Sequence, residues 1–217
     1  SDWRGDGCYI FCDSNSFPSR GVFNTTKIVT LAMWNINNIP VDALNGLEID
    51  TLILNNIQTI GTNSFRGVRK LHELQIQTSN FRQFEQNSAT HIANLLRSLK
   101  LHEISQSSFT NSLSELRRIR TLENLSLRQN GFESFDASSL DLRELRTLDF
   151  SEQNIQNDNL IIRNLNNLEK LILYSNRLTR LTSSMIENLP SLAYLRVSNN
   201  SIETISQNFF NFTLLSR

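Results

Sequence analysis

Few residues in this sequence have the types and spacing that catalysis demands. The three histidines are His72, His91 and His102. None sits in a nucleophile elbow, a His-Glu-x-x-His helix or a paired-carboxylate setting. A histidine without a partner group reads as a solvated side chain. The seven glycines form no phosphate-cradling loop. Cys8 and Cys12 have no histidine nearby in the chain, and two ligands do not make a tetrahedral metal site. The residues therefore point away from an enzyme, a metal and a cofactor.

Two short signals remain. Asn-x-Ser/Thr, the acceptor triplet for N-glycosylation, occurs at Asn24, Asn124, Asn199 and Asn211. Asn24 lies just outside the first expected strand. A glycan on Asn124 would stand on a strand face and block a protein ligand there. Arg4-Gly5-Asp6 places a cation and a carboxylate on a glycine hinge, the tripeptide that integrins read; a solvated terminus is the alternative.

Composition narrows the classes further. The 217 residues carry 21 basic and 21 acidic side chains, a formal net charge of zero. Neutralising phosphates takes a basic surplus, so nucleic acid is not an expected partner. No stretch approaches the ~20 apolar residues of a membrane span.

The chain is organised around leucine spacing. Leu168-x-x-Leu171-x-Leu173-x-x-Asn176-x-Leu178-x-x-Leu181 recurs 24 residues later as Leu192-x-x-Leu195-x-Val197-x-x-Asn200. Earlier copies begin at Leu122 and Leu145. Leu171 and Leu173 are two apart, so a strand points both to one face and sends Lys170, Ile172 and Tyr174 to the other. Asn176 follows where the chain turns, and its amide can both donate to and accept from neighbouring backbone. One such unit cannot bury its apolar face alone, so the copies must stack.

This pattern resembles the leucine-rich repeat, in the ~24-residue class common in secreted proteins and receptor ectodomains of animals, Toll-like, Slit-like and variable-lymphocyte-receptor-like proteins among them. Repeats start at 28, 49, 71, 96, 122, 145, 168 and 192. The predicted fold is α/β: a right-handed leucine-rich-repeat solenoid over residues 28–217, with a parallel sheet of about eight short strands on the concave face. Turns, short 3₁₀ segments and a helical stretch near Glu115–Ile119 are predicted on the convex face. The repeat from Leu96 is the longest and has Ile104 at the asparagine place, which predicts a bulge or mobile loop there. Phe65, Phe109, Phe132, Phe135 and Phe150 read as core spine. Residues 1–27 resemble the cysteine-bearing N-terminal cap of such proteins, although those usually carry four cysteines. A Cys8–Cys12 disulfide is expected in that cap, with two free thiols the alternative.

The resemblance implies an extracellular recognition module: a receptor ectodomain or secreted protein that binds a protein ligand or co-receptor. The alternative is an adhesion, matrix or homodimer-forming role. Strand alternation predicts three solvent-facing columns. The inner column runs through Ala32, Ile53, Gln75, Lys100, Ser126, Asp149, Ile172 and Arg196. One flank runs through Trp34, Asn55, Gln77, His102, Arg128, Ser151, Tyr174 and Ser198. The other runs through Thr30, Thr51, Glu73, Ser98, Asn124, Thr147, Lys170 and Tyr194. Tyr, Trp and Arg dominate protein–protein binding energy. The expected ligand-binding residues are thus Lys170, Ile172, Tyr174, Tyr194 and Arg196, with Arg128, Asp149, Lys100, His102 and Trp34.

Overall fold

The computed structural model describes residues 8–13, 17–18, 23, 25–207 and 209. Asn24, Asn211 and Arg4-Gly5-Asp6 lie outside them. Nine parallel strands form one sheet in chain order: β1 (Tyr9–Asp13), β2 (Lys27–Trp34), β3 (Glu48–Asn55), β4 (Lys70–Gln77), β5 (Ser98–His102), β6 (Asn124–Ser126), β7 (Thr147–Asp149), β8 (Lys170–Ile172) and β9 (Tyr194–Arg196). Each coil returns to pair beside the last, making a parallel solenoid with a single long core. Short two- to four-residue strands and 3₁₀ turns line the convex side, such as Thr59–Ile60 against Gln83–Phe84.

The register follows the leucine spacing. Thr30, Thr51, Glu73, Ser98, Asn124, Thr147, Lys170 and Tyr194 pair in sequence across β2 to β9. Leu31, Leu52, Leu74, Leu99, Leu125, Leu148 and Leu171 point inward and are almost wholly buried. Pleat alternation makes the two sets inseparable, because a one-residue slip would exchange them. Phe109, Phe132, Phe135 and Phe150 form an aromatic spine behind the leucines; Phe135 and Phe150 stack at 4.4 Å.

Two devices satisfy backbone groups at the ends of most of these strands. A residue one or three places after the strand adopts the left-handed conformation, as at Asn35, Asn56, Glu103, Gln129, Glu152, Ser175 and Asn199 (φ between 54° and 61°). Asn pays the least for that geometry among residues with a Cβ. It aims the N–H at the next coil: Asn35 donates to Asn55 O and Ser175 to Ser198 O. The second device is the inward amide. Asn130 Nδ2 donates to Leu101 O and Leu127 O, and its Oδ1 accepts from Ile104 N. Asn176 and Asn200 repeat the two donations.

Several expectations are corrected. Asn35 and Asn56, which fall one place short of the position that Asn176 holds in its repeat, do not join the inward ladder. They are the left-handed turn residues, and their amides form an outer chain, Asn56 to Asn35 to Asp13, at 2.8 Å each. Gln153 fills the inward place in the coil from Leu145, donating to Leu127 O and Ser151 O. The cap adds a ninth strand: β1 alternates Tyr9, Phe11 and Asp13 outward with Ile10 and Cys12 against the core. Cys8 and Cys12 are both free thiols. Four residues of extended chain separate their Cα atoms by about 13 Å, and a disulfide needs less than about 7 Å.

The long repeat from Leu96 holds no bulge at its strand. β5 keeps register with both neighbours, and the extra residues build the helix α1 (Gln106–Leu116) on the convex side. It starts earlier than predicted because Ser105 caps it, its Oγ accepting from Ser108 N at 3.1 Å. Helix α1 then tethers the preceding coil through polar groups. Ser112 Oγ accepts from Phe84 N, and the buried Glu115 carboxylate accepts from Asn87 N and Ala89 N.

Candidate functional site

The outward columns of β4 to β9 carry the polar and aromatic side chains of the concave face. Their Cα positions are set by the parallel register. What they do to one another depends on charges in adjacent coils.

The first cluster lies on β4 and β5. Glu73 accepts from Lys100 Nζ at 2.9 Å and from Ser98 Oγ at 2.9 Å, and also from Gln75. Burial opposes ionisation of Glu73, but these donors outweigh it and hold the carboxyl below its usual range. His102 is half-buried, with Nε2 3.0 Å from Ser126 Oγ. Burial holds its imidazole below the usual range; the Lys100 and Arg128 charges add to that, and Asp149 opposes it. Asp149 spends one oxygen on Ser151, accepting from its N–H at 3.1 Å and its Oγ. Between these groups lies a shallow groove of about 480 Å³, flanked by Glu73, Lys100, His102, Arg128 and Asp149.

The second cluster joins β6 to β9. Arg128 Nε donates to Glu152 Oε1 at 2.8 Å, and the Tyr174 hydroxyl donates to the same oxygen. The tyrosine hydrogen bond is the main cause of a lowered Glu152 carboxyl and of a raised Tyr174 phenol. The Arg128 guanidinium lies 5.7 Å from the centre of the Tyr174 ring, and that of Arg196 lies 4.3 Å away. Lys170 Nζ stands 5.0 Å from the centre of the Tyr194 ring. Tyr194 is 46% exposed, and Ile172 is half-buried on β8, opposite Arg196.

All ten expected binding residues lie on the concave sheet or at its strand ends, but they do not form one site. Trp34 is remote from the others and packs against Phe11, ring centres 6.1 Å apart. Ala32 and Ser151, expected on the open face, are fully buried. Three contributors escaped the sequence reading. Glu152 stands in the left-handed turn, outside the strand columns, yet it anchors both Arg128 and Tyr174. Tyr9 and Phe11, 57% and 64% exposed, extend the face past Trp34; the alternation in Tyr-Ile-Phe-Cys-Asp was the signal for them. Asn124 is exposed on β6 and Asn199 on the turn after β9, both accessible as glycan acceptors. A hollow of about 440 Å³ on the opposite side, between Asp136 and Leu165, contains no aromatic side chain. Among the described residues no group of histidine, cysteine and carboxylate side chains could hold a metal ion, and no helix is long and apolar enough to cross a membrane.

Residues 19–141, more than half of the sequence, match the family described as BspA type leucine rich repeat region, and residues 166–217 match the leucine rich repeat. No curated protein matches the chain. Among solved structures it is similar to TLR13 in a complex with ssRNA13, at 19% identity and a TM-score of 0.63, covering 85% of this chain and 27% of that one. It is also similar to human 5T4 (Wnt-activated inhibitory factor 1, trophoblast glycoprotein), at 20% identity and a TM-score of 0.64, covering 86% of this chain and 74% of that one. The chain thus spans about a quarter of the TLR13 chain. At these identities the likeness is one of fold.

Proposed function

We propose that this chain, which belongs to the leucine-rich-repeat family, is an extracellular recognition module that binds a protein ligand through its concave face. The observation that carries the reading is the Lys170, Tyr174, Tyr194 and Arg196 lattice on β8 and β9 and the strand ends beside them. It offers rigid aromatic area with cations held over the rings. Such residues carry most binding energy at protein interfaces, since they lose little entropy on docking. The fold likeness to the TLR13 and 5T4 chains supports a receptor-like setting.

The test is a binding screen against secreted and cell-surface proteins. The wild-type chain is compared with Tyr194→Ala and with Arg82→Ala, whose exposed side chain lies away from the concave sheet. The expected partner binds wild type and Arg82→Ala alike and loses at least about tenfold, ~1.4 kcal/mol, on Tyr194→Ala. Melting temperatures should stay together, because the truncated side chain is exposed. Partners that bind Tyr194→Ala as tightly as wild type would refute the concave reading.

A further inference from the structure

The four cations of the concave face divide into two kinds. Lys100 is answered by Glu73 and Arg128 by Glu152. Lys170 and Arg196 have no carboxylate partner among the described residues and rest against tyrosine rings. A ring face orients a cation without cancelling its charge. Arg196 gives its Nε to Ser198 Oγ at 3.2 Å, which leaves the terminal nitrogens of its fork to bind elsewhere. The acids of the face, Glu73, Asp149 and Glu152, all belong to earlier coils. Glu169, next to Lys170 in the chain, is taken by Arg146 on the rim.

We infer that the partner meets β8 and β9 with an acidic peptide segment, one carboxylate on the free edge of Arg196 and another on Lys170. The inference rests on the concave-face reading above and names the chemistry of its ligand. The register supplies the spacing. Lys170 pairs with Tyr194, and Ile172 with Arg196. The two cations are therefore one strand apart and two residues along, about 8 Å at the backbone. Carboxylates at alternate positions of an extended peptide are ~7 Å apart on one side of it, within the reach of these side chains. A guanidinium with two free N–H groups matches a carboxylate in a bidentate pair, and an ammonium accepts one from any direction.

Single-stranded RNA is the competing ligand class, since it too is bound by aromatic and basic side chains. The geometry favours the peptide. Base stacking needs open ring faces, but Tyr174 already carries two guanidinia and Tyr194 an ammonium. A phosphate track would also run past the carboxylates of Asp149 and Glu152, in a chain with no net positive charge.

The probe is an immobilised decapeptide of alternating Glu and Ser, set beside its Gln-Ser counterpart and a single-stranded RNA decamer. The chain is titrated over each by surface plasmon resonance at low salt. The expected result is binding to the Glu-Ser peptide at least tenfold tighter than to the Gln-Ser peptide or the RNA. That binding should weaken at least tenfold in the Lys170→Gln/Arg196→Gln double variant and fall as salt rises to ~0.5 M. Equal binding of the two peptides, no binding of either, tighter binding of the RNA, or indifference to the double variant would each overturn the inference. The two readings fail separately. A natural partner lost on Tyr194→Ala but kept by the double variant removes the acidic segment and leaves the concave face standing.

Discussion

Replacing Asn176 with alanine tests how the coils are held together. Its side chain is almost wholly buried and donates to Phe150 O in the preceding coil at 3.0 Å and to Leu173 O in its own at 3.1 Å. The losses are unequal. Leu173 O also accepts from Asn200 Nδ2 at 2.9 Å, so it keeps a partner. Phe150 O has only Asn176 among the described residues, and its stranding costs ~1–3 kcal/mol. Losing the second bond adds ~0.5–1 kcal/mol. Against this, Asn176 Oδ1 is itself buried without a partner, and removing it returns part of the cost. The net is about 2 kcal/mol, which at a typical urea dependence of ~2 kcal/mol/M lowers the unfolding midpoint by about 1 M. Asn130→Ala should cost more, because it also strands Ile104 N. Asn166→Ala, at an exposed convex position, should stay within ~0.5 kcal/mol. Urea unfolding followed by circular dichroism reads all three. A shift for Asn176→Ala no larger than that for Asn166→Ala would refute the claim that the inward amide joins the coils.

Glu115→Ala should destabilise by about 2–4 kcal/mol in the same assay, since it strands Asn87 N and Ala89 N in the preceding turn; a shift below ~0.5 kcal/mol would show that α1 does not tether that coil. His102 supplies a pH dependence. Its folded imidazole titrates below 6.5, chiefly through burial, whereas the unfolded chain takes up the proton at ~6.5. The unfolded state therefore binds more protons in the window below ~6.5, and the contribution present above that pH is lost as pH falls through the folded value. Between pH 7.5 and 5 the wild type should lose more stability than His102→Gln, and parallel curves for the two would contradict the assignment. Glu73, held below the usual 4.5, gives up its contribution only at lower pH.

The solenoid and its columns were legible in the sequence because both rest on local rules. Alternation along a strand has a period of two, and the leucine spacing repeats every coil. Together they put Lys170 beside Tyr194 and Ile172 beside Arg196, as the strand register does. The inward amide was legible at Asn130, Asn176 and Asn200, where residue type and position coincide. It was not legible at Gln153, a longer side chain reaching the same carbonyls, nor at Asn35 and Asn56, where asparagine serves the left-handed turn instead. Tertiary structure alone decided the rest. The start of α1 depends on the Ser105 cap, and its attachment on polar groups that meet the preceding coil. Cys12 lies on β1 and Cys8 just before its start, so the extended chain holds the two thiols apart, a geometry that proximity in sequence conceals. The pairing of Arg128 and Tyr174 through Glu152 spans three coils. Spacing within one coil determines which way a side chain points, but which charge answers it depends on distances between coils, and so only the stacked fold separates the neutralised cations Lys100 and Arg128 from the open ones, Lys170 and Arg196.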